Sequence, residues 1–150
     1  MTLLSFMVTI VTFTAFIILG VLLSIIGLIW KWTGLMKIPA LKYIFHVLIK
    51  YSCNFVLWIT PTAHFKNNGL DNINWDRPGI IVSNHLTHID LLLLIGLNPK
   101  LVVMTNSWVY NNPVYGGLVR AAGYLPGFEG TDSIVEKARE TIDQGYSILV

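Results

Sequence analysis

A histidine and an aspartate lie five residues apart at the end of an apolar run, and these residue types can form a base and the group that orients it. His85 follows the run at residues 80–84, and Asp90 comes five positions later. In one continuous α-helix, residues at this spacing point about 140° apart and do not meet. The pair therefore needs a turn of the chain, which a strand followed by a new helix supplies.

The chemistry expected of this pair is removal of a proton from a hydroxyl group. An aspartate in the first turn of a helix is held in its ionised form by the helix dipole. Asp90 can then accept a hydrogen bond from Nδ1–H of His85, which leaves Nε2 as the base. If the hydroxyl attacks a thioester, the protein needs no nucleophile of its own, because the acyl group is already activated.

Short strands alternate with helices in the second half of the chain, and this order predicts an α/β fold with a largely parallel sheet flanked by helices. Strands are predicted at residues 79–84, 101–105 and 146–150, and a short strand or a turn is predicted at residues 123–125. The helices are predicted at residues 90–96, 113–122 and 131–144. The last helix should begin with a capping box of Ser133 and Glu136 and end at Gly145.

An apolar segment without charge precedes these elements. The first 30 residues contain no charged side chain, in a chain that is 54% hydrophobic and only 12% charged. A helix over residues 3–30 would be about 42 Å long, more than the roughly 30 Å hydrocarbon core of a bilayer, so it either tilts or breaks at Gly20. Trp30 and Trp32 are typical of the membrane interface. Residues 1–38 are therefore predicted to be a membrane anchor.

A basic amphipathic helix is predicted at residues 39–62. Apolar residues recur at helical spacing on one face. Polar residues recur every four positions on the other side: Lys42, His46, Lys50 and Asn54. We interpret the segment, with His46 on its polar face, as lying in the membrane interface, and the alternative is a helix that packs on the core of the domain. Residues 63–150 are predicted to form that α/β domain.

The charge distribution favours membrane lipid as a partner. Five lysines follow the uncharged first 30 residues with no acid among them, at Lys31, Lys37, Lys42, Lys50 and Lys66. By the positive-inside rule they place the following residues in the cytoplasm. No basic face interleaved with aromatic residues is present, so nucleic acid is not an expected partner, and the oligomeric state is not predicted. Cys53, the single cysteine, is interpreted as a small buried residue.

The motif resembles the first motif of the glycerolipid (lysophospholipid) acyltransferases, of the 1-acyl-sn-glycerol-3-phosphate acyltransferase type. The residues that carry the resemblance are Asn84, His85 and Asp90, after an apolar strand and behind an anchor. The resemblance extends over roughly residues 40–150, where it includes the basic lead-in, Pro113, Gly116 and the strand that starts at Gly123.

The resemblance implies a role for each motif residue. His85 would deprotonate the acceptor hydroxyl, and Asp90 would orient His85. Asn84 and Thr87 would shape the substrate site. Acyl-CoA or acyl-carrier protein would donate the acyl group as a co-substrate, a lysolipid would accept it, and neither a metal nor a further cofactor is implied.

The second and third motifs of the family are altered or missing. Counting from Gly123, the arginine that holds the acceptor's phosphate in the family falls at Glu129, an acid that would repel phosphate. Arg120 is the candidate substitute, and the acceptor is either lysophosphatidic acid-like or free of phosphate. The third motif would follow residues 146–150, a last strand with no following residue to cover it. We therefore interpret the sequence as the N-terminal part of a longer acyltransferase, inactive by itself.

Two other hypotheses stay open beside this one. His85, His88 and Asp90 are ligand types that bind zinc or iron, which would suit a metal-dependent membrane hydrolase, although residues so close in sequence seldom supply a whole site. Alternatively, the chain is a non-catalytic membrane module. We predict instead a membrane-bound O-acyltransferase of phospholipid or glycerolipid biosynthesis, with its active site facing the cytoplasm.

Overall fold

The computed structural model describes residues 3–60, 65–66, 68–84 and 87–150. Four parallel strands form its central sheet: β1 (Ile80–Ile81), β2 (Leu101–Thr105), β3 (Leu125–Pro126) and β4 (Ser147–Leu149). Their order is β1-β4-β2-β3. The helices are α1 (Leu3–Trp32), α2 (Pro39–Trp58), α3 (His88–Leu97), α4 (Ser107–Tyr110), α5 (Gly116–Ala121) and α6 (Thr131–Asp143). The predicted α/β fold with a parallel sheet flanked by helices is therefore confirmed.

The strand positions correct three sequence predictions. The strand predicted over residues 79–84 is only two residues long, although the Ser83 N–H still donates to the Val150 carbonyl at 2.9 Å. β4 is a buried strand, as predicted, but it spans Ser147–Leu149 rather than residues 146–150, and it lies between β1 and β2. Gly123 forms the turn before β3, with φ of +73°, and the strand itself starts at Leu125.

Two helices begin elsewhere than the sequence predicts. α5 begins at Gly116 rather than near residue 113, and a separate short helix, α4, precedes it. The capping box predicted for α6 is wrong, because the N-cap residue is Gly130 and no side chain caps the helix. Ser133 therefore lies in the first turn, where its hydroxyl donates to Glu129 at 2.8 Å instead. Gly145 does end the helix, with φ of +82°.

α1 is one continuous helix of 30 residues, about 45 Å long at 1.5 Å per residue. Gly20 does not break it, because a glycine costs a helix only about 1 kcal/mol and its neighbours are good helix formers. Within the described residues, α1 alone is long and apolar enough to cross a membrane, and only 11% of its most apolar stretch is buried. Length and composition thus make it a candidate membrane span.

The buried side of α1 packs closely on α5 through small residues. A Cβ atom added to Gly27 would lie 2.6 Å from Cβ of Ala121 and 2.8 Å from the Phe45 ring, so the glycine is required for this approach. Ser24 donates to the Val114 carbonyl at 2.8 Å, and its Oγ accepts the N–H of Leu118 at 3.1 Å. Leu118 lies in the first turn of α5, whose own residues supply no side-chain cap, so α1 provides that cap.

The polar face of α2 is turned toward the domain, and His46, predicted to lie on this face, is buried there. His46 is only 2% exposed, and its Nε2–H donates to the Ala122 carbonyl at 3.0 Å. Asn54 Nδ2 donates to the Gly96 carbonyl at 3.1 Å. His46 can be buried, and Asn54 partly buried, because backbone carbonyls of the domain accept their hydrogen bonds. The other side of α2 still exposes aromatic rings, at Tyr51 and Trp58.

Burial of His46 makes the stability of the fold depend on pH. Desolvation, with a smaller effect from the charge of Lys42, lowers the pKa of His46 from 6.5 to about 4. Below pH 6.5 the unfolded chain binds a proton at this histidine, whereas the folded chain binds it only near pH 4. The free energy of unfolding therefore falls as the pH is lowered through this window.

We expect His46→Gln to flatten this pH dependence. Glutamine keeps an N–H donor for the Ala122 carbonyl but does not titrate. The variant should therefore lose the contribution of His46 to the pH dependence of the free energy of unfolding, which is up to about 1.4 kcal/mol per pH unit between pH 6.5 and 4. Denaturant unfolding of both proteins in detergent across this range measures the difference in slope. Equal slopes would contradict the assignment of the titration to His46.

Candidate active site

The motif residues lie where the chain passes from β1 into α3. Thr87 is the N-cap residue of α3, and its Oγ1 accepts the N–H of Asp90 at 3.2 Å. In return, the Thr87 N–H donates to Oδ2 of Asp90 at 2.9 Å. This reciprocal pair is a capping box that satisfies two N–H groups at the start of the helix. Its signal in the sequence is Thr87 and Asp90, three residues apart at the start of an apolar run.

Asp90 is thereby held in the first turn of α3, as predicted. The positive end of the helix dipole favours its ionised form, and the Thr87 N–H fixes one carboxylate oxygen. A strand, β1, precedes the motif and a helix, α3, follows it, as predicted. His85 lies outside the described residues, so its hydrogen bond with Asp90 stays a prediction. Asn84 is described, and its side chain is exposed after β1.

An apolar cavity of about 370 Å³ reaches the N-terminus of α3, where Thr87 and His88 form part of its wall. The other walls come from α1, α2, β2, α4 and α5. Its volume is in the range of small-molecule sites, roughly 300–1,000 Å³. Because apolar side chains predominate on the walls, the cavity suits a hydrocarbon group.

Aromatic rings from distant parts of the chain line one side of this cavity. The Tyr115 ring lies 5.9 Å from that of Phe16 in α1 and 6.2 Å from that of Trp108 in α4, between ring centroids. Trp108 is largely exposed, so this row of rings runs from the cavity to the protein surface. Sequence reasoning missed these residues because each belongs to a different element and no local pattern links them.

The cavity wall includes a thiol that is chemically inert. Cys53 is buried, as predicted, and burial raises its pKa to about 12. Burial also raises the pKa of Tyr124, on the same wall. Both groups are therefore protonated near neutral pH, and Cys53 does not provide the thiolate that a covalent acyl-enzyme would need.

Arg120 and Glu129 are both engaged with other protein groups. Nη1 of Arg120 donates to the Tyr110 carbonyl at 2.6 Å, which ties α5 to α4, and Arg120 is not on the cavity wall. Glu129, just after β3, pairs with Lys137 at 2.5 Å and accepts from Ser133. The hydrogen bond from Lys137, and then that from Ser133, lower the pKa of Glu129. A substrate role for Arg120 stays a prediction.

The domain that contains these residues matches a known family. A model described as Acyltransferase matches residues 64–150, more than half of the chain. The chain belongs to the acyltransferase family. This confirms the resemblance to the 1-acyl-sn-glycerol-3-phosphate acyltransferase type. No curated protein and no solved structure matches the chain.

The acyltransferase match covers the motif, the sheet and α3 to α6, whereas α1 and α2 precede it. Among the residues that the structure describes, no group of three histidine, cysteine, aspartate or glutamate side chains could hold a metal ion. The metal hypothesis depends on His85 together with His88 and Asp90, and His85 lies outside the described residues. Metal binding by these three residues therefore stays a prediction.

The capping box can be tested by removing its hydroxyl group. Thr87→Val keeps the shape of the side chain but leaves the Asp90 N–H without its acceptor, so the start of α3 should lose about 1 kcal/mol of stability. Amide hydrogen exchange in the first turn of α3 should then be roughly fivefold faster. Thr87→Ser, which retains the hydroxyl, is the matched control. Equal exchange in the two variants would show that the hydroxyl does not stabilise the helix start.

Proposed function

We propose that this acyltransferase is a membrane-bound O-acyltransferase, which transfers a fatty acyl group from acyl-CoA or acyl-carrier protein to the hydroxyl of a lysolipid. One observation carries the proposal: the wall of the apolar cavity includes Thr87 and His88, at the start of the helix that bears Asp90. A fatty acyl chain held in the cavity would have its thioester beside this part of the wall. The reacting carbonyl would then lie beside the motif.

The proposed reaction needs a base but no enzyme nucleophile. His85 accepts the proton of the acceptor hydroxyl while the hydroxyl oxygen attacks the thioester carbonyl carbon. A carbon–oxygen bond forms, the carbon–sulfur bond breaks, and the leaving sulfur takes the proton back from His85 as a thiol. Asp90 orients the imidazole and stabilises its charged form between the two transfers. The protonated state of Cys53 supports direct transfer rather than a cysteine-bound acyl group.

The acceptor is proposed to be a lysolipid, either resembling lysophosphatidic acid or free of phosphate. In the family, an arginine at the position of Glu129 would hold a phosphate, whereas here the carboxylate pairs with Lys137. A paired acid does not attract phosphate, which favours an acceptor recognised through uncharged groups. Arg120 is the other proposed contact for the acceptor, although its Nη1 donates to the Tyr110 carbonyl.

The membrane location is proposed from α1, α2 and their lysines. α1 has the length and composition of a membrane span. Tyr51 and Trp58, exposed on α2, are residue types that favour the membrane interface. The lysines after α1 would keep the active site on the cytoplasmic side, where a water-soluble thioester could meet a lipid acceptor.

Replacing His85 tests the proposed base. His85→Ala, made in the intact protein, should lower acyl transfer from thioester to lysolipid by about 10²- to 10⁴-fold, because general-base catalysis contributes a factor of that size. Membrane association and the thermal midpoint should not change. Transfer is measured by thiol release together with mass spectrometry of the acylated lipid.

Rescue by imidazole distinguishes a catalytic role of His85 from a purely structural one. Added imidazole should restore part of the activity of His85→Ala with a pH dependence that follows the free base. Turnover near the wild-type level in His85→Ala would exclude His85 as the base. An inactive, correctly folded variant that imidazole never restores would count against proton transfer as its role.

A further inference from the structure

The apolar cavity is completed by helices that precede the acyltransferase match. α1 contributes Phe16, Leu19, Gly20 and Leu23 to its wall, and α2 contributes a further part. Without α1, this wall would be absent and the cavity would be open along one side. The candidate membrane span is therefore also a boundary of the space assigned above to the acyl chain.

Gly20 is the position on α1 where the wall has no side chain. A Cβ atom added there would lie 3.6 Å from Cγ1 of Val114 and 3.7 Å from Cβ of Tyr115, which is ordinary van der Waals distance. The close approach of α1 to α5 does not require this glycine, unlike Gly27, where an added Cβ would lie 2.6 Å from Ala121. Packing therefore permits a methyl group at residue 20, and Gly20 is part of the cavity wall.

We propose that Gly20 is a specificity-determining residue for the acyl chain, because its missing side chain sets how much hydrocarbon the cavity accepts. This inference rests on the proposed function in assigning the cavity to the acyl group. A larger residue at this position would occupy part of the cavity and exclude longer chains. The candidate membrane helix would then select the donor as well as anchor the enzyme.

The size of the effect follows from apolar packing. One methylene more or less in an apolar pocket changes kcat/KM by roughly 10- to 200-fold. A leucine at residue 20 adds four carbon atoms beside Val114 and Tyr115. The ratio of kcat/KM for a long acyl donor to that for a short one should therefore fall at least about tenfold.

The experiment compares Gly20→Leu with the wild type over saturated acyl-CoA donors from octanoyl to stearoyl, in the intact protein with its acceptor. The variant should favour shorter chains, with kcat/KM falling most for the longest donors. Thr14→Leu is the control for a leucine placed elsewhere on α1, because Thr14 lies on the exposed side of the helix and is not on the cavity wall. Thr14→Leu should show the wild-type profile. An unchanged profile in Gly20→Leu would overturn the proposal.

A binding measurement separates failure of this inference from failure of the proposed function. Unreactive alkyl-CoA thioethers of graded length compete with a fluorescent fatty acid, so no turnover is needed. Gly20→Leu should weaken binding of the long thioethers at least about tenfold and leave the shortest unchanged. That result would uphold the inference even if the wild type consumed no thioester, which would refute only the proposed reaction.

A smaller substitution covers the case in which Gly20→Leu loses turnover and binding at every chain length. Gly20→Ala places its methyl group at ordinary contact distance and should fold with a wild-type thermal midpoint. It should shift the preferred chain length in the same direction by a smaller amount. Equal chain-length preference in Gly20→Ala and the wild type would then overturn the proposal.

Discussion

The close contact between α1 and α5 is the interaction on which the rest of the structure depends. Gly27 allows α1 to approach Ala121 at a distance that no larger residue permits. Ser24 then supplies the hydroxyl that caps α5 and also donates to the Val114 carbonyl. A buried hydroxyl is costly without hydrogen bonds, so these two partners allow Ser24 within an otherwise apolar helix. The same contact places α1 as one wall of the cavity.

A second constraint is that the polar side chains of α2 must find hydrogen-bond partners on the α/β domain. The Nε2–H of His46 reaches the Ala122 carbonyl at the end of α5, and Asn54 reaches the Gly96 carbonyl near the end of α3. α2 therefore joins the end of α5, whose start is capped by Ser24 of α1, to α3, the helix that bears Asp90. Because the cavity lies between these helices, its shape depends on both sets of contacts.

Local patterns predicted much of the fold and part of the candidate site. The apolar run at residues 101–105 is the strand β2, and the periodic segment after residue 130 is α6. Each element has a hydrophobic pattern within its own residues, and such a local pattern is enough to indicate it. The position of Asp90 in the first turn of α3 was also predictable, because a polar residue that precedes an apolar helix favours its N-terminus. The family motif was readable for the same reason: its residues are close in sequence.

What the sequence did not reveal depends on contacts between distant residues. His46 is buried because of a carbonyl 76 positions away, and a pattern of polar residues every four positions gives no sign of that partner. The sequence left open whether α1 tilts or breaks at Gly20, and in the structure Gly20 is a continuous part of α1 and lies beside Tyr115. The cavity combines residues of six elements, so no local signal in the chain announced it.

The most direct test of the central claim is thioester consumption by the purified intact protein in the presence of lysolipids with and without phosphate. The account predicts thiol release that depends on an added lysolipid hydroxyl and equals the amount of acylated lipid formed. Thiol release without an acceptor, with free fatty acid as the product, would indicate a hydrolase. No release with any donor and acceptor pair, from protein shown to be folded and membrane-bound, would contradict the assignment of the cavity and the motif to acyl transfer.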